Sequence, residues 1–226
     1  NQVPAGWTVT NSGTATNKWV GNNADAGTYA FTGNTLHVSN GNTTAVGNGT
    51  AAMAYTVTTT TDARVTTPTL NAAGMRNLSL SFSYVCNGEE DADGIYDFGV
   101  VYYSINGGTT YDILRDGTNN ILIFIGISTL TNFSIVLPPS VNGTANLKFL
   151  FRWLNDNSIG NNPPFAIDNV VVTGNFISVE AQANQPSTEN VSAGTGTHSF
   201  YSTDGQVIAK VSNTSANIGC LTANVS

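Results

Sequence analysis

The chain's hydrophobic and polar residues alternate over short segments, and almost no segment shows helical spacing. Residues 55–58 and 78–84 alternate most cleanly, as do strands that bury one face of a sheet. Clusters of Gly, Asn and Pro separate the segments, and Asn106-Gly107-Gly108 lies in a predicted hairpin turn at 105–110. The pattern predicts an all-β sandwich or barrel. The clearest predicted strands are 52–60, 78–85, 96–104, 121–127, 133–137, 146–154 and 165–173.

The composition changes after Phe176, which predicts three parts. Residues 1–176 form the β-sandwich, residues 177–197 form a linker rich in Ala, Gln, Asn, Ser, Thr and Gly, and residues 198–226 form an incomplete second β unit or a C-terminal β extension. Three short strands with little apolar content make a weak core. The last part therefore either begins a further domain or packs on the first one.

Charged residues are scarce and predominantly acidic. They make up 9% of the 226 residues, against roughly 25% in an average soluble domain, and Asn, Thr, Ser and Gly take their place. Such a surface is common in extracellular proteins, so we expect an extracellular or outer cell-surface location. The net charge is -7 and the seven cations form no run, which argues against nucleic acid and anionic membranes as partners. The longest apolar run, 121–127, is far short of the roughly 20 residues that span a bilayer.

Asp168 is an acidic residue inside the apolar predicted strand 165–173. A buried carboxylate is normally paired, hydrogen-bonded or bound to a metal. With Asn169 it offers the oxygen ligands that Ca²⁺ prefers. The alternative is that Asp168 accepts hydrogen bonds from the backbone or from Arg152 and fixes a strand end.

The only acidic cluster of the sequence lies between residues 89 and 97. Carboxylates this close repel one another unless a cation or protons intervene. Asp91, Asp93 and Asp97 have loop-like spacing around Gly94, although they do not match the EF-hand pattern. The cluster is either a solvated acidic loop, a Ca²⁺ site or the rim of a binding face to which Glu89 and Glu90 contribute.

Aromatic residues are the natural candidates for stacking on sugar rings, with nearby amides to bind the hydroxyl groups. Trp19 lies in a polar segment with Asn22 and Asn23, so these residues are predicted to form an exposed ligand-binding loop. Trp7 and Trp153 lie in or beside predicted strands and are expected in the core. The neighbouring pair at 102–103, both Tyr, is a further candidate.

Catalytic and covalent chemistry has little support in the sequence. The two histidines lie in different predicted parts and no nucleophile elbow, H-E-x-x-H or CxxC motif occurs. A pair of carboxylates for glycoside hydrolysis, such as Asp97 with Asp168, is less favoured than a structural role for both. Cys86 and Cys220 either form a disulfide or are two separate buried thiols.

Five motifs, in order, resemble a family of secreted jelly-roll modules. They are Val3–Thr8 as a "PAGW" opening strand, Val65–Leu70, the "L.F.Y" strand at Leu78–Tyr84, Asp97–Thr110 as "D.l.V.yS.dGGtt", and Leu147–Phe151 followed by Ala166–Val170 as "iDNV".

These motifs resemble MAM-like and cleaved-adhesin modules in surface proteins of the Bacteroidota, which are cargo of type IX secretion. The resemblance covers about residues 3–174 and implies a jelly-roll β-sandwich, galactose-binding-like or MAM-like in shape. It also implies that the Asp of the "iDNV" motif, here Asp168, ligates a structural Ca²⁺ or anchors the N-terminal strand. Together with the acidic cluster between residues 89 and 97, this gives Asp168, Asn169, Asp91, Asp93 and Asp97 as the expected Ca²⁺ ligands.

The favoured function is a non-catalytic adhesion or carbohydrate-binding module, stabilised by Ca²⁺ and part of a larger protein. Its partners would be glycans or a surface polymer, bound by Trp19, Asn22, Asn23, Glu89 and Glu90. One alternative is a structural subunit of a filament or long repeat adhesin, which pairs strands with neighbouring domains or subunits. The other is an accessory domain of a secreted hydrolase.

Overall fold

The computed structural model describes residues 3–12, 17–41, 51–176, 196–201, 207–213 and 221–223, the last three ranges by their backbone only. It contains one short 3₁₀-helix, Pro139–Val141, and is otherwise built from strands. The strands are β1 (Thr8–Ser12), β2 (Lys18–Asn22), β3 (Thr35–Ser39), β4 (Thr61–Thr66), β5 (Met75–Cys86), β6 (Glu89–Glu90), β7 (Ile95–Ser104), β8 (Asp112–Ile113), β9 (Ile123–Phe124), β10 (Ile127–Val136), β11 (Lys148–Asn155), β12 (Ala166–Phe176), β13 (Gly196–Tyr201), β14 (Val207–Asn213) and β15 (Leu221–Ala223).

Two antiparallel sheets form the body of the molecule. The first sheet has the order β1-β4-β11-β7, and the short strands β6, β8 and β9 pair with the free edge of β7. The second sheet has the order β10-β5-β12-β3-β2. The long strands β4, β5, β7, β10, β11 and β12 belong alternately to the first and the second sheet, so the chain crosses repeatedly between them. This is the jelly-roll arrangement, and it confirms the predicted all-β sandwich.

The core lies between the sheets and is rich in aromatic rings. Phe151 of the first sheet meets Phe82 of the second edge-on, with ring centroids 5.3 Å apart, a favourable geometry for aromatic pairs. Trp7 and Trp153 are both buried in this core, as the sequence predicted. A smaller apolar cluster, with Val85 as one member, lies outside the main core.

Segment 52–60 is not the strand that its alternation predicts. Met53 and Tyr55 are buried as expected, but the backbone does not join a sheet. The amide of Met53 donates to Asp25 Oδ2 at 2.7 Å, and that of Tyr55 donates to Asn162 Oδ1 at 3.2 Å. Side chains therefore replace a neighbouring strand as hydrogen-bond partners, and the strand β4 begins only at Thr61.

Most other predicted strands are present, with shifted ends. The predicted strand 121–127 is reduced to β9 and the first residue of β10, with a break at Gly126, whose φ is +71°. The strands β2 and β3 were not predicted. The hairpin at 105–110 joins β7 to β8, which pair through Tyr102 and Ile113.

The three C-terminal strands have two different partners. β13 pairs with β14. β15 extends the second sheet, because Leu221–Ala223 pair with Val170–Val172 of β12. The division at residues 176 and 197 stays a prediction. Within the described residues, the structure has no helix long and apolar enough to cross a membrane.

Candidate functional site

The outer face of the first sheet brings together charged and aromatic side chains from four strands or their ends. In a strand, successive side chains point to opposite faces, so Asp62 and Arg64 of β4 share this face. The register places Arg152 of β11 directly beside Arg64. Tyr102 of β7 lies beside Leu150 of the same β11 strand. The neighbour of Tyr102 in sequence, Tyr103, belongs to the buried core.

One carboxylate organises the two arginines. Asp62 accepts two hydrogen bonds from Arg152, from Nε at 2.8 Å and from Nη2 at 2.9 Å. It also accepts from Arg64 Nε at 2.9 Å and from Arg64 Nη2. Arg152 Nη1 donates to the Tyr102 hydroxyl at 3.0 Å. Bidentate pairs of this kind hold guanidinium groups in a fixed plane.

The charges of this face are fixed over the whole physiological pH range. Burial would raise the pKa of Asp62, but the hydrogen bonds from Arg64 and Arg152 outweigh it and lower that pKa to about 2. The same Asp62 bonds raise the pKa of Arg152. Asp62 and Arg152 therefore remain ionised together, and one carboxylate with two guanidinium groups gives this face one net positive charge.

These residues line a shallow cleft of about 120 Å³, bordered by Arg64, Tyr102, Tyr111, Leu150 and Arg152. Tyr111 closes one end beside the hairpin turn. A Cβ atom at Gly108 would lie only 2.8 Å from the Tyr111 hydroxyl oxygen, so the turn packs directly on this ring. The cleft therefore combines an apolar floor, two phenol rings and a guanidinium edge. Apolar surfaces with a few placed polar groups are typical of small-ligand sites.

A second site, the carboxylate cluster, consists of Glu89, Asp97 and Asp156. One carboxylate oxygen of each lies within 4.8 Å of the others, and it is the one group of three His, Cys, Asp or Glu within metal-binding reach in the described part of the chain. Asp97 Oδ2 accepts from the Tyr55 hydroxyl at 2.5 Å, and Oδ1 accepts from the Asp156 amide at 3.0 Å. Ser158 Oγ donates to Glu89 Oε2 at 3.3 Å.

Gly160 leaves room for this cluster. A Cβ atom at position 160 would lie 2.0 Å from the Tyr55 hydroxyl oxygen and 2.5 Å from Asp97 Oδ2. Any other residue here would therefore displace both groups. Three carboxylates, two of them buried, make a donor set that suits Ca²⁺, which prefers oxygen ligands.

Burial raises the pKa of Asp97 to about 6, and the charges of Glu89 and Asp156 add to this shift. Burial likewise raises the pKa of Tyr55, and its hydrogen bond to Asp97 adds to the increase. At Asp156 burial acts in the opposite sense to the hydrogen bonds from Ser158 and Asn157, which prevail and lower its pKa. Asp97 is thus more easily protonated than Asp156.

Asp97 is expected to make the metal-free protein less stable as the pH rises from about 4 to about 7. In the folded protein it keeps its proton to about pH 6, against an ordinary value of 3.8. Its contribution to the free energy of unfolding is therefore complete below that ordinary value and is lost as the pH rises through 6. At about 1.4 kcal/mol per pKa unit, the loss amounts to at most about 3 kcal/mol. Urea denaturation in EDTA at several pH values measures it.

Asp97→Asn is the matched variant for this pH experiment, since it keeps the shape of the side chain and removes its titration. The unfolding free energy of the variant should vary less between pH 4 and pH 7 than that of the unmodified protein. The difference between the two is the relevant quantity, because burial also raises the pKa of Asp168. Parallel pH curves for the two proteins would contradict the prediction.

Asp168 lies on the outer face of the second sheet, opposite Ser83 of β5. It is 6% exposed, and its Oδ1 accepts from the amide of Asn169 at 2.7 Å. Asn169 has a φ of +52° and interrupts the pairing of β12 with β5. Asp168 thus binds the backbone at a β-bulge. The prediction that Arg152 donates hydrogen bonds to Asp168 is wrong, because Arg152 lies in the first sheet and pairs with Asp62.

Of the predicted Ca²⁺ ligands, the carboxylate cluster includes only Asp97. Asp91 and Asp93 are exposed. Asp91 Oδ1 accepts from the amides of Asp93 and Gly94 at 2.8 and 3.1 Å, so it stabilises its own turn. Metal binding by these residues and by Asp168 and Asn169 stays a prediction.

The predicted ligand-binding loop around Trp19 is wrong. Trp19 lies in the strand β2, is 3% exposed and donates from Nε1 to the carbonyl of Ala63 at 3.1 Å. Asn22 is also buried, and its Nδ2 donates to the carbonyl of Ala51 at 3.1 Å. The polar residues around Trp19 in the sequence led to the prediction of a loop. The segment is instead a strand, and its inward side chains reach the opposite sheet. Asn23 is exposed.

The two remaining residues of the predicted ligand-binding set are neighbours in β6 and differ in exposure. Glu89 is buried in the carboxylate cluster and Glu90 is exposed. Cys86 is a buried thiol whose Sγ donates to the carbonyl of Phe124 at 3.0 Å, and burial raises its pKa. Cys220, its predicted alternative partner, lies outside the described residues.

Most of the cleft and one of the three members of the carboxylate cluster, Asp156, were not predicted from the sequence. Asp62 and Arg64 alternate in sequence as neighbours on one face of a strand do, but they follow a segment that was assigned as the strand. Asp156 stands in a polar run, Asn155–Ser158, directly after a predicted strand and before Gly160. An acidic residue at a strand end shortly before a glycine was the sequence signal that could have indicated Asp156 as a site residue.

Comparison with known proteins gives structural likenesses only. No protein-family model matches the chain, and no curated protein does. The K1 cleaved adhesin domain of Lys-gingipain from Porphyromonas gingivalis W83 is similar, with a TM-score of 0.44 and 16% identity over 76% of this chain and 93% of that one. The module TmCBM61, solved in complex with β-1,4-galactotriose, has a TM-score of 0.42 and 13% identity over 76% of this chain and 90% of that one.

An enzyme domain is also among the similar structures. It is the enzymatically active domain of tailspike protein 4 from bacteriophage CBA120, with a TM-score of 0.40 and 14% identity. The likeness covers 74% of this chain and 19% of the tailspike chain.

Proposed function

We propose that this chain is a non-catalytic carbohydrate-binding module of an adhesin, and that it binds glycans in the cleft on the outer face of the first sheet. The cleft itself supports this most directly. Tyr102 and Tyr111 offer rings for stacking, and Arg64 offers hydrogen-bond donors for ring hydroxyls, on a rigid sheet whose face is open to an extended polymer.

The sparse charge of the surface supports an extracellular or outer cell-surface location for the module. The order of the five sequence motifs supports a parent among the type IX secretion cargo of the Bacteroidota. In such a parent the module would attach a larger protein to a glycan-coated surface.

We also propose that a Ca²⁺ ion stabilises the module. Glu89, Asp97 and Asp156 would hold it, since their oxygens already converge and Gly160 leaves space beside them. The ion would offset the mutual repulsion of three neighbouring carboxylates and join β6 and β7 to the segment after β11.

Binding to an oligosaccharide panel, followed by calorimetry with the best ligand, tests the glycan proposal. Tyr102→Ala and Tyr111→Ala should each weaken binding by about tenfold. Stacking of a ligand ring on one aromatic side chain contributes on the order of 1–3 kcal/mol, by analogy with the stacking of nucleic-acid bases. Phe176→Ala is the matched control, because Phe176 is 53% exposed and lies outside the cleft. The proposal fails if no glycan binds, or if the cleft variants bind like the control.

Strand pairing with a second copy is the other function that an observation favours. The register of β12 pairs only Ala166 and Ile167 with β3, and β15 occupies part of the remaining edge. A strand from a neighbouring subunit could take the place of β15, as in strand addition. Size-exclusion chromatography with light scattering tests this, and a monomer at all concentrations would contradict it.

A further inference from the structure

The proposed glycan-binding cleft is positively charged in a protein that is negative overall. The chain carries a net charge of -7 and only seven cations. Two of these, Arg64 and Arg152, meet in the cleft around the single carboxylate of Asp62. Lys148 lies on the same face of β11, two residues before Leu150. A local excess of positive charge in such a chain favours an anionic ligand.

The hydrogen-bond partners show which N–H groups remain for a ligand. Arg152 uses three of its five N–H groups, one each on Nε, Nη1 and Nη2, for Asp62 and Tyr102. Arg64 presents Nε and Nη2 to Asp62, and its Nη1 has no hydrogen bond to any described residue. The Arg64 side chain is 40% exposed, against 24% for Arg152. The outer edge of Arg64, Nη1 and the second N–H of Nη2, thus faces solvent.

That outer edge has the shape of a carboxylate receptor. A guanidinium group donates two parallel hydrogen bonds to a planar carboxylate along one edge. Asp62 fixes the plane of Arg64, so little side-chain entropy is lost when a second carboxylate binds. Tyr102 and Tyr111 line the same cleft as Arg64, and the ring that carries the carboxylate would lie against them.

We infer that the cleft selects an acidic sugar, a uronic acid residue whose carboxylate binds the outer edge of Arg64 while its ring lies against the two tyrosines. This inference rests on the proposed glycan-binding function and adds the class of sugar. Arg152 acts as a positioning residue, since it holds Asp62 and Tyr102 in place. A neutral sugar can accept hydrogen bonds from the outer edge of Arg64 only through its hydroxyl groups, without the bidentate charged pair.

Isothermal titration calorimetry with two matched ligands tests the inference. The ligands are trigalacturonate and its methyl ester, which keeps the rings and removes the negative charge. The unmodified protein should bind the acid at least about tenfold more tightly, because charge-assisted bidentate hydrogen bonds are about twice as strong as neutral ones. Raising the salt concentration should narrow the difference.

Arg64→Gln should lower the affinity for trigalacturonate by about tenfold and that for the ester by less than about twofold, since it removes the charge but keeps a polar side chain. Arg76→Gln is the control, because Arg76 is an exposed arginine of β5 in the second sheet. A thermal melt confirms that both variants fold.

The possible outcomes distinguish a failure of the acidic-sugar inference from a failure of the glycan proposal. Equal affinities of the unmodified protein for acid and ester would overturn the acidic-sugar inference and leave the glycan proposal intact. Binding of neither these ligands nor any glycan of the panel would overturn the glycan proposal. An equal loss of acid binding in Arg64→Gln and Arg76→Gln would overturn the assignment of the carboxylate to Arg64.

Discussion

Phe165→Ala is expected to lower the free energy of unfolding by about 3–5 kcal/mol, the usual cost of removing a large buried aromatic side chain. Phe165 is completely buried and lies directly before β12. Its ring lies 5.7 Å from Trp19 and 5.4 Å from Phe124, measured between centroids. These rings belong to opposite sheets, so Phe165 connects the two layers. A Cβ atom at Gly99 would lie 2.5 Å from the ring, which leaves no space for relaxation on that side.

Urea denaturation monitored by tryptophan fluorescence measures this effect. Phe165→Leu should cost less, because it retains part of the buried volume. Phe176→Ala removes an exposed ring from the C-terminal end of β12 and should change stability by no more than about 0.5 kcal/mol. A loss below about 1 kcal/mol in Phe165→Ala would show that the ring is not central to the packing between the sheets.

Alternation predicted the long strands because burial on one face leaves a direct trace in the sequence. The same trace failed at residues 52–60, where Met53 and Tyr55 are buried but their amides bind Asp25 and Asn162. Sequence alternation reports which side chains are buried and says nothing about the partner of the backbone. That partner depends on residues up to 107 positions away.

The error at Trp19 has a related cause. Its neighbours Asn17 and Asn22 are polar, which is typical of a loop, yet both are buried and hydrogen-bonded. Asn17 Nδ2 donates to Thr61 Oγ1 at 2.8 Å. In a chain where amides replace charges, a polar residue is a weak sign of exposure, because an amide can be buried once its hydrogen bonds are satisfied.

The cleft could not be predicted because it depends on strand register. Asp62 and Arg152 are 90 positions apart and meet only because β4 and β11 pair with Arg64 opposite Arg152. A shift of one residue would send every one of these side chains to the other face. The acidic segment was recognisable, and Glu89 and Asp97 do take part in one cluster, but its third member, Asp156, comes from the segment after another strand.

Adding Ca²⁺ to protein treated with EDTA is expected to raise Tm by roughly 5–10 °C. A ligand at a hundred times its Kd stabilises the native state by about 2.7 kcal/mol, and a domain of this size gains about 2–4 °C for each kcal/mol. Differential scanning calorimetry measures the shift. Mg²⁺ at the same concentration should have a smaller effect, because it demands a stricter geometry and retains its waters.

Four variants locate the ion. Asp97→Asn and Glu89→Gln should reduce the Ca²⁺-dependent shift to a small fraction, since each removes one charge from the carboxylate cluster. Asp168→Asn and Asp91→Asn should retain it, because neither side chain belongs to that cluster. The reverse result, a shift that persists in Asp97→Asn and disappears in Asp168→Asn, would place the ion at the second sheet. If Ca²⁺ does not raise the Tm of the unmodified protein, the proposal that Ca²⁺ stabilises this fold is wrong.

The pH dependence of the calcium effect supplies an independent check on the cluster. Carboxylates must lose their protons to bind a metal, and the metal-free Asp97 keeps its proton to about pH 6. The Ca²⁺-dependent rise in Tm should therefore be complete at pH 7.5 and decline as the pH falls through 6. A rise in Tm that stays undiminished as the pH falls through 6 would contradict the assignment of the ion to the buried cluster.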